Sequence, residues 1–130
     1  MPDFDTLTLR EDDGNGAVPK QYDLDERTAA FGERVVKFSK KIPRAPGNSR
    51  LIDQIVGAGT SVGANYIEAT ESVSKKDFKF SISRCKKEAK ETRFFLRMVA
   101  TAEPPLAAEA RELYREANEL VLIFAAIYRK

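Results

Sequence analysis

The 130-residue sequence has no histidine, no tryptophan and a single cysteine, Cys85. Without histidine there is no Ser-His-Asp or Cys-His catalytic group and no imidazole metal ligand. The Glu-x-x-His motif of di-iron bundles is excluded for the same reason. A lone cysteine forms no intrachain disulfide, which fits a reducing compartment. Long apolar runs are also missing. The first residues, Met1 to Gly16, are acidic and lack the apolar stretch of a signal peptide. The run from Leu120 to Tyr128 is far shorter than the roughly 20 residues that a membrane span requires. Gly57, Gly59 and Gly63 lack the following Lys-Ser/Thr and the preceding strand of a phosphate-binding loop. These absences point to a non-enzymatic, cytoplasmic protein with no cofactor, no metal site and no membrane partner.

What is present is charge, unevenly placed. The formal net charge is only +2. Residues 1–30 nevertheless carry 3 basic and 8 acidic side chains, residues 31–50 carry 6 and 1, and residues 75–97 carry 9 and 3. Residues 1–22, with the turn-forming run Glu11-Asp12-Asp13-Gly14-Asn15-Gly16, read as an acidic, flexible N-terminal extension. Phe4, Leu7 and Leu9 alternate there, which leaves a short docked strand as an alternative.

Residues 23–130 read as one all-α domain. The first helical segment runs from about Asp23 to Lys41, with its apolar seam at Leu24, Thr28, Phe31, Val35, Phe38 and Ile42. Asp23 is placed to be its N-cap, with Glu26 completing a capping box. The second runs from Asn48 or Ser49 to about Thr70, through Ile52, Ile55, Gly59, Val62, Tyr66 and Ala69. Each interior glycine costs up to about 1 kcal/mol against alanine, so close approach of a neighbouring helix is expected. The third opens at Ser74, a capping residue with Asp77 three positions on, and ends before Glu103-Pro104-Pro105. Its seam is Phe78, Ile82, Cys85, Ala89, Thr92, Leu96 and Val99. The fourth starts at about Leu106 and carries Ala110, Leu113, Ala117, Leu120, Phe124 and Ile127.

Alternating steps of 3 and 4 are the 3.5-residue period of left-handed supercoiled packing. With short connections, four such segments make an antiparallel up-down-up-down four-helix bundle. Val36, Phe80, Phe94, Phe95, Val121, Leu122, Ile123 and Tyr128 lie beside the seams and widen the apolar faces. Self-association into a homo-oligomer would cover them.

The main functional lead is a cationic row on the third segment. At about 100° per residue, Lys75, Lys79, Lys86, Lys90, Arg93 and Arg97 fall within about 60° of one another, and Lys76 and Lys87 widen that edge. Over 22 residues the row spans roughly 33 Å of helix. Such a row can track a phosphate backbone and release its counterions, giving salt-sensitive, sequence-blind binding of RNA or another nucleic acid. With little aromatic interleaving on this row, base stacking has few candidates. Arg34, Lys37, Lys40, Lys41, Arg44 and Arg50 form a secondary basic group. The competing expectation is that Glu109, Glu112, Glu116 and Glu119 of the fourth segment pair with the row, leaving a solvated edge. A third reading makes the row a docking surface for a protein partner.

Other polar residues carry weaker signals. Ser61, Asn65 and Glu68, with Glu88 and Glu91, sit beside the seams. Paired carboxylates can hold a hard cation, but a polar residue there more often fixes helix register, a role open to Asn65. Cys85 is expected to be a buried, inert thiol and Tyr66 a core or interface aromatic.

The strings Gly59-Thr60-Ser61-Val62-Gly63-Ala64-Asn65-Tyr66-Ile67-Glu68-Ala69, Ser74-Lys75-Lys76-Asp77-Phe78 and Lys87-Glu88-Ala89-Lys90-Glu91-Thr92 together resemble the bacterial four-helix-bundle proteins encoded by intervening sequences of 23S ribosomal RNA genes. The resemblance covers roughly residues 22–130. It implies an up-down bundle, a homopentamer and contact with nucleic acid.

Overall fold

A computed structural model describes residues 23–130 of the chain. The acidic extension expected over residues 1–22, with Phe4, Leu7 and Leu9, lies outside the described residues. Four helices follow one another: α1 (Leu24–Ser39), α2 (Asn48–Thr70), α3 (Lys75–Ala102) and α4 (Ala107–Arg129). A 3₁₀ turn at Pro104–Leu106 joins the last two.

Local chemistry accounts for the boundaries. The Ser74 side chain accepts the backbone N–H of Asp77 at 3.0 Å, so α3 starts where the capping pattern places it. Pro104 and Pro105 lack the N–H groups that would continue α3. Asn48, at the head of α2, is buried and donates its amide to Pro43 O at 2.9 Å and to Glu103 Oε2 at 3.0 Å. One side chain thus fastens the α1–α2 turn to the end of α3.

The start of α1 departs from the capping expectation. Asp23 sits in the left-handed region at φ 65°, and its side chain makes no capping hydrogen bond. Aspartate is among the few L-residues that tolerate this conformation. Here it turns the chain into the helix rather than satisfying the first N–H groups.

The core follows the 3–4 stepping. Leu24, Phe31, Val35 and Phe38 of α1 are buried, with Ile42 in the turn beyond it, as are Ile55 and Val62 of α2. Ile82, Cys85, Ala89, Leu96 and Val99 of α3 meet them, with Leu113, Ala117, Leu120 and Phe124 of α4. Tyr66 packs its ring 6.2 Å from that of Phe124, at the margin of this core. The helices contact most extensively in the pairs α2–α3 and α3–α4, then α1–α2, and much less in α1–α4.

The widened apolar faces of α3 and α4 are only partly covered within the chain. Val121 and Ile123 of α4 are fully buried within the chain. Phe80 and Phe94 of α3 are 60% and 54% exposed.

Glycine sets the α1–α2 spacing. A Cβ on Gly59 would lie 2.7 Å from Val35 Cγ1, and one on Gly63 would lie 3.3 Å from Thr28 Oγ1. A Cβ on Gly32 would lie 3.6 Å from the backbone of Gly59 and Thr60. Gly57 faces open space and has no such reason in the structure.

Candidate nucleic-acid interface

α3 is the longest helix, and its capped N-terminus fixes the rotation of every side chain along it. Lys75, Lys76, Lys87, Lys90 and Arg97 are exposed, and Lys79 and Lys86 are half-buried. Lys79 places its ammonium 5.3 Å from the centroid of the Tyr128 ring, so the row begins beside the end of α4. The lysine stem covers apolar surface there while its charge stays near water.

One member of the row is not on the surface. Arg93 is buried, and its guanidinium donates to Asn118 Oδ1 at 2.6 Å and lies 6.0 Å from the centroid of the Tyr114 ring. It bonds α3 to α4, and the expectation that it faces a phosphate backbone is corrected on this ground. The wheel angle put it at the core-facing margin of the row, and a guanidinium there reaches a buried amide more readily than solvent.

Two of the four acids on the α4 edge pair away from the row. Glu116 accepts two hydrogen bonds from Arg27 of α1, at 2.8 Å to Nε and 2.9 Å to Nη2. That bond holds the guanidinium above its ordinary pKa, against the opposing effect of burial. Glu109 pairs with Lys41 at 2.8 Å. The two pairs tie α1 and the turn after it to α4, helices that share little backbone contact. Among the described residues, Lys75 and Lys86 make no ion pair. Lys87 and Glu91 approach at 3.8 Å across an exposed turn.

An aromatic component was missed by the wheel-based reading. Phe80 and Phe94 lie about 100 to 140° from Lys75, on the same outer strip of α3 as Lys76 and Lys87. The Arg84 guanidinium lies 5.8 Å from the Phe80 centroid. Phe94 stands edge-on to Phe95 at 5.2 Å and 78°. The signal was present in the angles, but both rings were read as widening the apolar faces.

The polar residues beside the seams are satisfied locally. Asn65 donates to Ser61 O at 2.8 Å, and Ser61 to Gly57 O at 2.6 Å, both within α2. Among the described residues Asn65 therefore makes no cross-helix bond that would fix register. Burial first, and Glu91 next, hold the Glu88 carboxyl above its usual range, with Lys87 and Arg84 opposing. No group of three or more metal-ligating side chains occurs among the described residues. Burial pushes the Cys85 thiol up to about 12, with a smaller contribution from Glu68. Such a thiol is not a nucleophile. No described helix is long and apolar enough to cross a membrane.

A second surface lies between α1 and α2. It is a groove of about 790 Å³ over Gly32, Gly63, Ala29 and Ala64, walled by Val36 and Ile67 with Asp25, Glu33 and Lys37 at its rim. Ile67 is 60% exposed.

These features define a small antiparallel helical bundle with one cationic helix. The chain belongs to the 23S rRNA-intervening sequence protein family, which matches residues 20–126. It is also similar to a crystal structure of a protein of unknown function from the S23 ribosomal protein family of Bacteroides thetaiotaomicron. The two share 24% identity at a TM-score of 0.72, over 82% of this chain and 95% of the other, a likeness of fold. No curated protein matches the chain.

Proposed function

We propose that the protein is a non-enzymatic, homo-oligomeric bundle whose α3 face contacts RNA. The observation that carries this reading is the pairing of Glu116 with Arg27 and of Glu109 with Lys41. Two acids of the α4 edge are engaged with Arg27 and Lys41 instead, and Lys75 and Lys86 of the row make no ion pair among the described residues. Four to six phosphate contacts along one helix give weak binding, and repetition of the row on several subunits raises it by avidity. The open groove between α1 and α2, with Ile67 exposed above a floor of small residues, supports a second copy as the subunit contact. Five copies is the number that the family resemblance implies.

The test is fluorescence anisotropy of a labelled RNA across a salt series, with light scattering on the same samples. Affinity should fall steeply with salt. Replacing Lys75 or Lys86 by glutamine should each lower the log–log salt slope by about 0.7 to 0.9. Salt-indifferent binding, or none at low salt, counts against the proposal. A stoichiometric protein partner recovered without nucleic acid would favour the row as a protein-docking surface.

A further inference from the structure

We infer that the outer strip of α3 binds RNA in single-stranded form, stacking bases on Phe80 and Phe94 while Lys76 and Lys87 hold phosphates along the same strip. This deepens the RNA reading above and rests on it.

Residues 76, 80, 87 and 94 step by 4, 7 and 7 along α3, so cation, ring, cation and ring lie on one strip of the helix. Phe80 and Phe94 are more than half exposed, which is costly for apolar rings on a water-facing strip. The two rings are 14 residues apart, or about 21 Å of helix. That distance greatly exceeds one base step, so each ring takes its own base and several nucleotides pass between them.

The rings are presented for stacking. Phe95 holds Phe94 edge-on, which restrains that ring before any ligand arrives. Arg84 lies at cation–π range of Phe80, so a flat cationic group already sits against that ring and can contribute to a stack with a base. The nearest acid, Glu91, is only loosely paired with Lys87 at 3.8 Å in an exposed position. A phosphate replaces such a partner at little cost.

Charge selects the occupant. A second copy laid face to face on this strip would oppose Lys76 and Lys87 with their own equivalents. A polyanion meets both. Duplex RNA presents phosphates but keeps its bases stacked inside, so it leaves the two rings bare. A single strand offers phosphates and free base faces together.

The experiment compares an oligouridylate strand with an RNA duplex of equal length, using the full chain at low salt. The variants are Phe80→Leu, Phe94→Leu and Lys87→Gln, all exposed positions. Each leucine variant should weaken single-strand binding about tenfold, leaving duplex affinity and the salt slope unchanged. Lys87→Gln should weaken both ligands and flatten the slope. If the leucine variants bind the single strand as the parent does, the stacking inference fails and the basic-face reading stands. If neither RNA binds at low salt, both fail together. If the leucine variants change the assembly mass in light scattering, the rings belong to a subunit contact and the inference is overturned.

Discussion

Val35 of α1 sits directly on the bare backbone of Gly59 in α2. A Cβ at position 59 would come within 2.9 Å of three Val35 side-chain atoms. Val35 is β-branched and fully buried, so it has no room to turn aside. Gly59→Ala should therefore destabilise the bundle by about 1 to 3 kcal/mol, even though alanine is the better helix former. Gly57→Ala is the control. With open space at that position, it should stabilise by up to about 1 kcal/mol. Urea denaturation of the two variants checks the pair. Equal effects of the same sign would dismiss the close contact as the reason for glycine at 59.

The Arg93–Asn118 bond makes a second prediction. Its donor is charged, both side chains are buried, and the distance is 2.6 Å. Asn118→Ala removes an acceptor from a guanidinium that has left bulk water. It should cost about 1.5 to 3 kcal/mol of stability. Arg93→Gln should likewise lower the melting temperature, unlike Lys86→Gln on the same helix, which should leave it nearly unchanged. Loss of RNA affinity in an Arg93 variant would then report a loosened α3–α4 contact. Thermal denaturation by circular dichroism separates the two cases.

Much of this was legible in the letters. Steps of 3 and 4 located the seams of all four helices, because apolar burial at a 3.5-residue period leaves little choice of face. The close approach at Gly59 was legible too, because a glycine inside a helix needs a compensating contact. The destination of α4's acids was not. Glu109 and Glu116 share an edge that a linear reading pairs with the nearest cationic helix in sequence, α3. The fold brings Arg27 and Lys41 to them instead, across 89 and 68 residues of chain. Arg93 was misplaced for a related reason. A wheel angle gives direction from the axis but not the depth of the neighbour that a long side chain meets. Asp23 resembled an ordinary N-cap because type and spacing do not reveal a left-handed backbone.

The two ion pairs made by Glu116 and Glu109 of α4 should differ in strength. Arg27 and Glu116 are bidentate, with side chains 32% and 20% exposed. Lys41 and Glu109 meet through one contact, at 56% and 41% exposure. Screening by water and salt weakens the second far more than the first. A double-mutant cycle with Arg27→Gln and Glu116→Gln should give a coupling of about 1 kcal/mol. The Lys41→Gln and Glu109→Gln cycle should give less than about 0.5 kcal/mol, vanishing in high salt. Equal couplings would show that geometry and burial do not set the strength of these links.

Cys85 gives the bundle a defined alkaline sensitivity. Burial moves its thiol from 9.0 to about 12. Between those values the unfolded chain releases the proton and the native chain keeps it. The native state then binds more protons than the unfolded state, so stability falls as pH rises through this window. The limiting slope is about 1.4 kcal/mol per pH unit. Cys85→Ala lacks this proton and should lose less stability between about pH 8 and about pH 10, closing its deficit to the parent by roughly 1 kcal/mol. Lysines and tyrosines that also titrate there are common to both chains and cancel in the difference. Urea midpoints at the two pH values give the measurement. A deficit that stays constant would mean that the thiol ionises in the native bundle as readily as in the open chain, and that the α2–α3–α4 core admits water.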